Sequence, residues 1–330
     1  MFKKHFVKIF LGVLFSTILI YLTLRQIDFR NSLDFIKNTN YFILLAGILI
    51  YAFTYILRSI RYYFIILPVK KTRIMENFPY TMLGFFANNI IPLRLGELIR
   101  AKITGERLCI SRSSVLATIV IERLFDIVMF ILFFFTIMIY MSFPEFIKKS
   151  FSFLVIIFII CLVVLYMMLI NENKALNFLS KIHIPAIMKS LITEFFNKFT
   201  SGLVILRTPS VLIKSFITSI VIWVLEALCL LLVAASCGVD ISLLGAVFTV
   251  IIIGIGAIIP TAPGYLGAFE FMGVTALSIL SIDKNAAFVC IALYHFIQLI
   301  VIFALGFACV IKAKLSFSDL FKFTRGKGNQ

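Results

Sequence analysis

The sequence is poor in most of what a soluble enzyme uses. Only 14% of its 330 residues are charged, and it carries one Trp and three His. It has no Gly-rich phosphate loop followed by Lys-Ser/Thr and no Gly-x-Ser-x-Gly elbow, which removes the usual routes to a bound nucleotide or an acyl-enzyme. The six cysteines lack metal-ligand spacing. Cys161, Cys229, Cys290 and Cys309 lie within apolar runs, Cys237 ends one and Cys109 sits in a basic loop, so most read as small packing residues. His295, with Gln298 three residues on, has no second His or Cys at zinc or haem spacing and reads as a hydrogen-bonded packing residue. No metal and no cofactor is expected. Residues 22 to 30 lack a small-x-small cleavage pattern, so Met1-Phe2-Lys3-Lys4-His5 and the apolar run behind it read as a retained signal-anchor helix.

Apolar residues are what is abundant. They make up 62% of the chain, with 37 Phe and a mean hydropathy of +1.10. Runs at 6–24, 41–61, 115–140, 151–170, 211–236 and 285–311 reach the roughly 20 residues a spanning helix needs. They are apolar on every side, unlike the alternating ten-residue segments of a membrane barrel. The expected fold class is all-α, a polytopic integral membrane protein with about six full spans and two broken or re-entrant helical hairpins at 77–101 and 241–281. No composition shift marks a second domain, so residues 1–330 form a single membrane domain.

The two breaks repeat each other. Pro92, Gly96 and Leu98 recur as Pro260, Gly264 and Leu266, each 168 residues later. Proline lacks an N–H and glycine loses the most backbone freedom in a helix, so both end helices. Backbone groups freed at membrane depth are satisfied only within protein or beside a watery cavity, and paired breaks in two halves point to a transport site. Residues 77–91 span about 22 Å as helix, short of a ~30 Å core, which favours re-entrance. Residues 241–259 are long enough to span nearly alone.

Charge gives the orientation. The net charge of +16 reflects topology and attraction to anionic headgroups, not nucleic acid. With the N-terminus inside, crossing counts put the majority of the 31 Lys and Arg on the cytoplasmic side, as the positive-inside rule requires. Helices 41–61 and 211–236 then run in opposite directions, so the halves, about 1–140 and 151–315, form an inverted repeat. The cytoplasmic loop 171–208 includes an amphipathic stretch, 187–203, expected to lie on the inner leaflet, and finds no counterpart of similar length in the first half. A basic tail, 312–330, is cytoplasmic as well. The expected location is the inner membrane, with both termini in the cytoplasm.

Charges at membrane depth are costly unless paired or wetted, at least about 2.5 kcal/mol each at a helix centre. Arg94, Glu97 and Arg100 share one face of a half-helix starting at Gly96. Two guanidinium groups flanking one carboxylate suit a phosphate; the other reading is a salt bridge that anchors the hairpin at the cytoplasmic edge. Glu122 and Asp126, four residues apart around Arg123, repel each other, and Arg94 or Arg100 is the expected relief; alternatively, Arg123 and Asp126 neutralise one another. Of Arg58 and Arg61, the deeper Arg58 is assigned to the cavity and Arg61 to snorkelling toward lipid phosphate. Arg58 aligns with Glu226 at the 168-residue offset. Glu226 lies well inside an apolar run, and Glu270 follows on the half-helix that begins at Gly264. An isolated buried carboxylate protonates or finds an arginine, and Glu270 is read as meeting by turns an arginine of the first hairpin and a proton or the lipid's cationic group.

Pro92-Leu93-Arg94-Leu95-Gly96-Glu97-Leu98-Ile99-Arg100-Ala101, Glu122-Arg123-Leu124-Phe125-Asp126 and Pro263-Gly264-Tyr265-Leu266-Gly267-Ala268-Phe269-Glu270 resemble the flippase-like family that includes the membrane region of lysylphosphatidylglycerol synthases. The similarity covers nearly the whole chain, with Tyr265 standing where members often have Gly. It implies lipid translocation between leaflets, in relatives linked to hopanoid, cardiolipin or polyprenyl-linked sugar handling. The sequence ends at Gln330 without the soluble aminoacyl-transferring domain, so lysyltransferase activity is not expected. The combined expectation is a lipid flippase or transporter for an anionic phospholipid or a polyprenyl phosphate. The alternative is a membrane-embedded glycosyltransferase or accessory subunit acting on polyprenyl-phosphate lipids. A homo-oligomer or an associated lipid-modifying enzyme is the further partner considered.

Overall fold

The computed structural model describes residues 2–25, 27–91, 95–141, 145–170, 186–258 and 261–312, with side chains from residue 12 onward except at 29, 33, 165–192, 196 and 204. Twelve α-helices occur among the described residues, with no strand. They are α1 (Phe2–Leu24), α2 (Phe29–Lys37), α3 (Tyr41–Ile66), α4 (Ile74–Ile90), α5 (Gly96–Leu108), α6 (Arg112–Tyr140), α7 (Glu145–Ile170), α8 (Ala186–Gly202), α9 (Pro209–Ser236), α10 (Leu243–Gly256), α11 (Ala268–Ile279) and α12 (Lys284–Lys312). Four of these, α3, α7, α9 and α12, combine the length and apolarity of a membrane span. The protein is an all-α, polytopic membrane protein.

The order of elements repeats. In each half a long helix leads to a shorter one, then to a second long helix, two short helices and a third long helix. The second long helices have 26 and 28 residues and the third have 29 each. The two pairs of short helices have 17 and 13, then 14 and 12. The nine-residue α2 thus stands in the place that α8 holds in the second half. Sequence reading left α8 without a counterpart because α2 is too short and too polar to register as a membrane element.

Local chemistry ends and starts the helices. Asp28 caps α2 by accepting from the backbone N–H groups of Arg30 and Asn31, and Ser111 and Ser242 cap α6 and α10 in the same way. Beyond Ile90 the chain meets Pro92, which disfavours helix at the residue before it. Helix α10 stops at Gly256, so it is about 21 Å long and well short of a ~30 Å core. This corrects the reading of 241–259 as nearly a full span. Neither helix of either hairpin is long enough to cross, since α4, the longest, is about 26 Å.

The chain forms two compact units. One comprises the residues up to Ser59, Phe78–Arg100 and Ile220 onward; the other comprises Ile60–Asn77 and Ala101–Ser219. In lipid, helix association depends on close packing rather than on the hydrophobic effect, and the first unit packs closely. The fully buried Phe86 of α4 lies 5.5 and 5.3 Å from the rings of Phe303 and Phe307 on α12. At Gly96 a Cβ would fall 2.4 Å from the Gly84 carbonyl oxygen and 2.5 Å from the Asn88 nitrogen, so only glycine lets α5 fold back on α4. In the second unit, Ile65, Ala117, Ile121, Leu124, Leu203, Ile205 and Val211 form a core. Helix α8 docks on the start of α6, where Ser114 Oγ donates to the Lys198 carbonyl at 2.6 Å. It is therefore held by protein as well as being amphipathic.

Candidate functional site

In the first unit two charged pairs meet on neighbouring positions of α12. Arg58 of α3 donates to Glu226 Oε1 of α9 at 2.6 Å, with both side chains under one-tenth exposed. These are the residues that the 168-residue offset aligns. Three rings surround the guanidinium, with its carbon 5.3 Å from the centre of Phe85, 5.6 Å from Trp223 and 5.9 Å from Tyr55. Rings present their negative faces to a cation, so they help to hold an arginine where water is scarce. The other Glu226 oxygen accepts from the Tyr294 hydroxyl at 3.0 Å. Tyr55 in turn shares a hydrogen bond of 3.0 Å with Tyr51.

The second pair is Glu270 with His295. His295 Nδ1 lies 2.6 Å from Glu270 Oε1, and the imidazole stacks on Phe269 at 4.0 Å between ring centres. Glu270 Oε2 accepts from the Gly267 backbone N–H at 2.7 Å, which caps α11. The expected arginine partner is therefore replaced by histidine. Glu270 falls at the third position of α11, and packing of α11 against α12 brings His295 to its free oxygen. The break ahead of it is a left-handed turn, with φ of +70° at Gly264, +59° at Tyr265 and +87° at Gly267. Tyr265, where family members often have glycine, holds this conformation at a penalty of about 1 kcal/mol or more. Gly267 is also where a Cβ would meet the Ser16 carbonyl oxygen at 2.6 Å.

The two breaks meet inside this unit. A Cβ on Gly264 would lie 3.8 Å from the carbonyl oxygen of Asn89 at the end of α4. Buried beside the breaks, Asn88 Oδ1 and Thr261 Oγ1 have no hydrogen-bond partner among the described residues. Glu97 is half-buried in the first turn of α5, and Arg100 is buried with its stem against Gly84. Arg94, the remaining member of that trio, lies outside the described residues.

The second unit holds a separate cluster. Arg61 is fully buried and donates to Asp126 Oδ1 at 2.7 Å, Ser219 Oγ at 3.0 Å and Glu122 Oε1 at 3.4 Å. Arg123 lies 3.0 Å from Asp126 Oδ2, so two arginines balance two carboxylates. Arg61 thus relieves the repulsion between the two carboxylates and, fully buried, does not snorkel. The missed signal is its spacing: three residues from Arg58, it shares that helix face and turns inward with it. Among the described residues no three His, Cys, Asp or Glu side chains converge as a metal site would require.

These features define a multi-pass membrane protein with paired charges buried among its helices. The chain belongs to the family described as the lysylphosphatidylglycerol synthase TM region, which it matches over residues 9–306. It is also similar to a UPF0104 membrane protein of Methanocaldococcus jannaschii, with 28% identity over 218 residues, covering 64% of this chain and 88% of that one. No solved structure matches it.

Proposed function

We propose that this protein moves a lipid with an anionic phosphate headgroup, a phospholipid or a polyprenyl phosphate, between the leaflets of the inner membrane. The observation that carries this reading is the Arg58–Glu226 pair, held at 2.6 Å among aromatic rings in the unit where both helix breaks meet. A buried charge pair of this kind adds little to stability compared with an apolar substitute, so a binding role accounts for it better. A phosphate entering the site competes with Glu226 for the planar fork of Arg58, which fits two phosphate oxygens at once. Tyr294 then holds Glu226, while Asn88 and Thr261 supply further polar contacts. Glu97 and Arg100 line the headgroup's approach along the first hairpin, and Gly96 and Gly264 let the hairpins come together. Glu122, Arg123 and Asp126 hold the second unit's charges in register. The acyl chains remain in lipid throughout.

The test is a leaflet-resolved assay in vesicles, using headgroup-labelled phosphatidylglycerol and a labelled polyprenyl phosphate, each with and without a sugar donor. Vesicles containing the protein should exchange label between leaflets faster than protein-free vesicles. Equal rates would dismiss the transport reading, and a new product formed only with the sugar donor would favour the glycosyltransferase.

The repeated order of elements supports an inverted repeat with cytoplasmic termini, since three crossings per half leave the second half entering from the opposite side. Single cysteines replacing Lys70 and Lys284 should be labelled by an impermeant reagent from the cytoplasmic and external faces respectively. Labelling of both from one face would rule out that topology.

A further inference from the structure

We propose that Glu270 and His295 form a proton-binding site that couples lipid movement to proton movement. The inference rests on the transport reading above and supplies its driving ion. His295 is buried, and its Nδ1 meets Glu270 Oε1 at 2.6 Å. Two protonation states of this pair are tolerable in an apolar surrounding. With the imidazole protonated the pair is neutral overall. With the proton gone, one negative charge remains at the N-terminus of α11, where the Gly267 N–H and the helix dipole stabilise it.

Few other ionisable groups face this pair; Lys284, which lines a cavity with Phe271 and Thr275 of α11, stands about three turns of α12 away from His295. Helix α11 packs against α1, α10 and α12. Helix α10 carries no ionisable side chain, and α1 offers only the exposed Tyr21 among its described side chains. On α12 the neighbouring Tyr294 is bonded to Glu226, itself paired with Arg58, and Cys290 is buried more than a turn away.

Position supplies the coupling. Tyr294 and His295 are consecutive, so one turn of α12 touches the carboxylate that a phosphate displaces and the carboxylate that faces the proton-binding imidazole. Phe269 stacks on His295 and lies 5.8 Å from the Tyr294 ring. An anion brought to Arg58 adds negative charge to a low-dielectric interior, and an added proton on the neighbouring pair offsets it. Lipid and proton therefore travel in the same direction. The same carboxylate caps α11 beside three left-handed residues, so a change of charge on its His295 partner acts at the point where the hairpin can hinge.

The experiment uses the full chain in vesicles with labelled phosphatidylglycerol and a pH difference of one unit, alongside protein-free vesicles. One proton per lipid allows label to accumulate up to about tenfold in the leaflet facing the alkaline side. Glu270→Gln, which keeps an oxygen for the Gly267 N–H, and His295→Gln should both bring that ratio to about one. A second readout is independent of transport. In protein with 15N-labelled histidines, the imidazole signal that disappears in His295→Gln should change across the pH range in which the protein stays folded and shift in Glu270→Gln. A gradient response unchanged in both variants, or a His295 signal constant over that range, would overturn the proton site while leaving translocation standing. Absence of protein-dependent lipid movement at any pH would instead overturn the transport reading on which the coupling rests.

Discussion

Arg61→Leu is expected to lower stability by about 3–5 kcal/mol, the usual consequence of stranding buried charges by removing their partner. Glu122 and Asp126 would lose the guanidinium that contacts them both. Arg61→Lys should recover only part of the loss, because one ammonium cannot reach Asp126, Ser219 and Glu122 together as the guanidinium does. Combining Arg61→Leu with Glu122→Gln and Asp126→Asn should restore much of the stability, since neutral groups no longer need the cation. Thermal unfolding in detergent, followed by size-exclusion profiles, measures each step. An Arg61→Leu protein that unfolds at the parent temperature would show that the cluster contributes nothing to the second unit.

Arg58→Ala is expected to abolish protein-dependent lipid exchange, and Arg58→Lys to slow it by about tenfold or more, because lysine keeps the charge and loses the fork. Trp223 gives an internal report on the same change. It is the sole tryptophan of the chain and stands 5.6 Å from the Arg58 guanidinium carbon, so its emission should shift in both variants. Exchanging the partners, Arg58→Glu with Glu226→Arg, should recover most of the stability lost in either single variant. On the proposed inverted repeat, equivalent residues that touch each other lie near the axis relating the halves, so the reversed pair should meet in similar geometry. The Tyr294 hydrogen bond to Glu226 would be lost, at about 1 kcal/mol. Parent-like lipid exchange by Arg58→Ala and Arg58→Lys alike would reduce this pair to a structural tie.

Sequence reading reached unevenly into the fold. The six long helices are legible because twenty consecutive apolar residues have one stable fate, and the observed α3, α9 and α12 lie within a few residues of the expected spans. The first hairpin is legible in the same way, from Pro92 and Gly96. Helix α10 was misread as longer because Ala257 and Ile258 continue the apolar run, although the backbone is already turning toward Pro260. Pairing was legible at Arg58 and Glu226, where an internal repeat supplied an alignment. It failed at Arg61 and Glu270, for which no repeat partner was available. His295 was read as a hydrogen-bonded packing residue, and its bond to Glu270 agrees with that reading; only the identity of the partner was hidden.

The sequence by itself determined that this protein resides in the membrane, where its long helices run and where two hairpins break. These are local properties, set by hydropathy over one span, by the missing N–H of proline and by the side-chain freedom of glycine. Only the tertiary structure decided which charge meets which. Several arginines could have satisfied each buried carboxylate, and the choice fell to helix faces brought together by packing. Arg61 turns to Glu122 and Asp126 because the end of α3 packs against α6 through Ile65, Ile121 and Leu124, and Glu270 takes a histidine because α12 is a helix against which α11 packs.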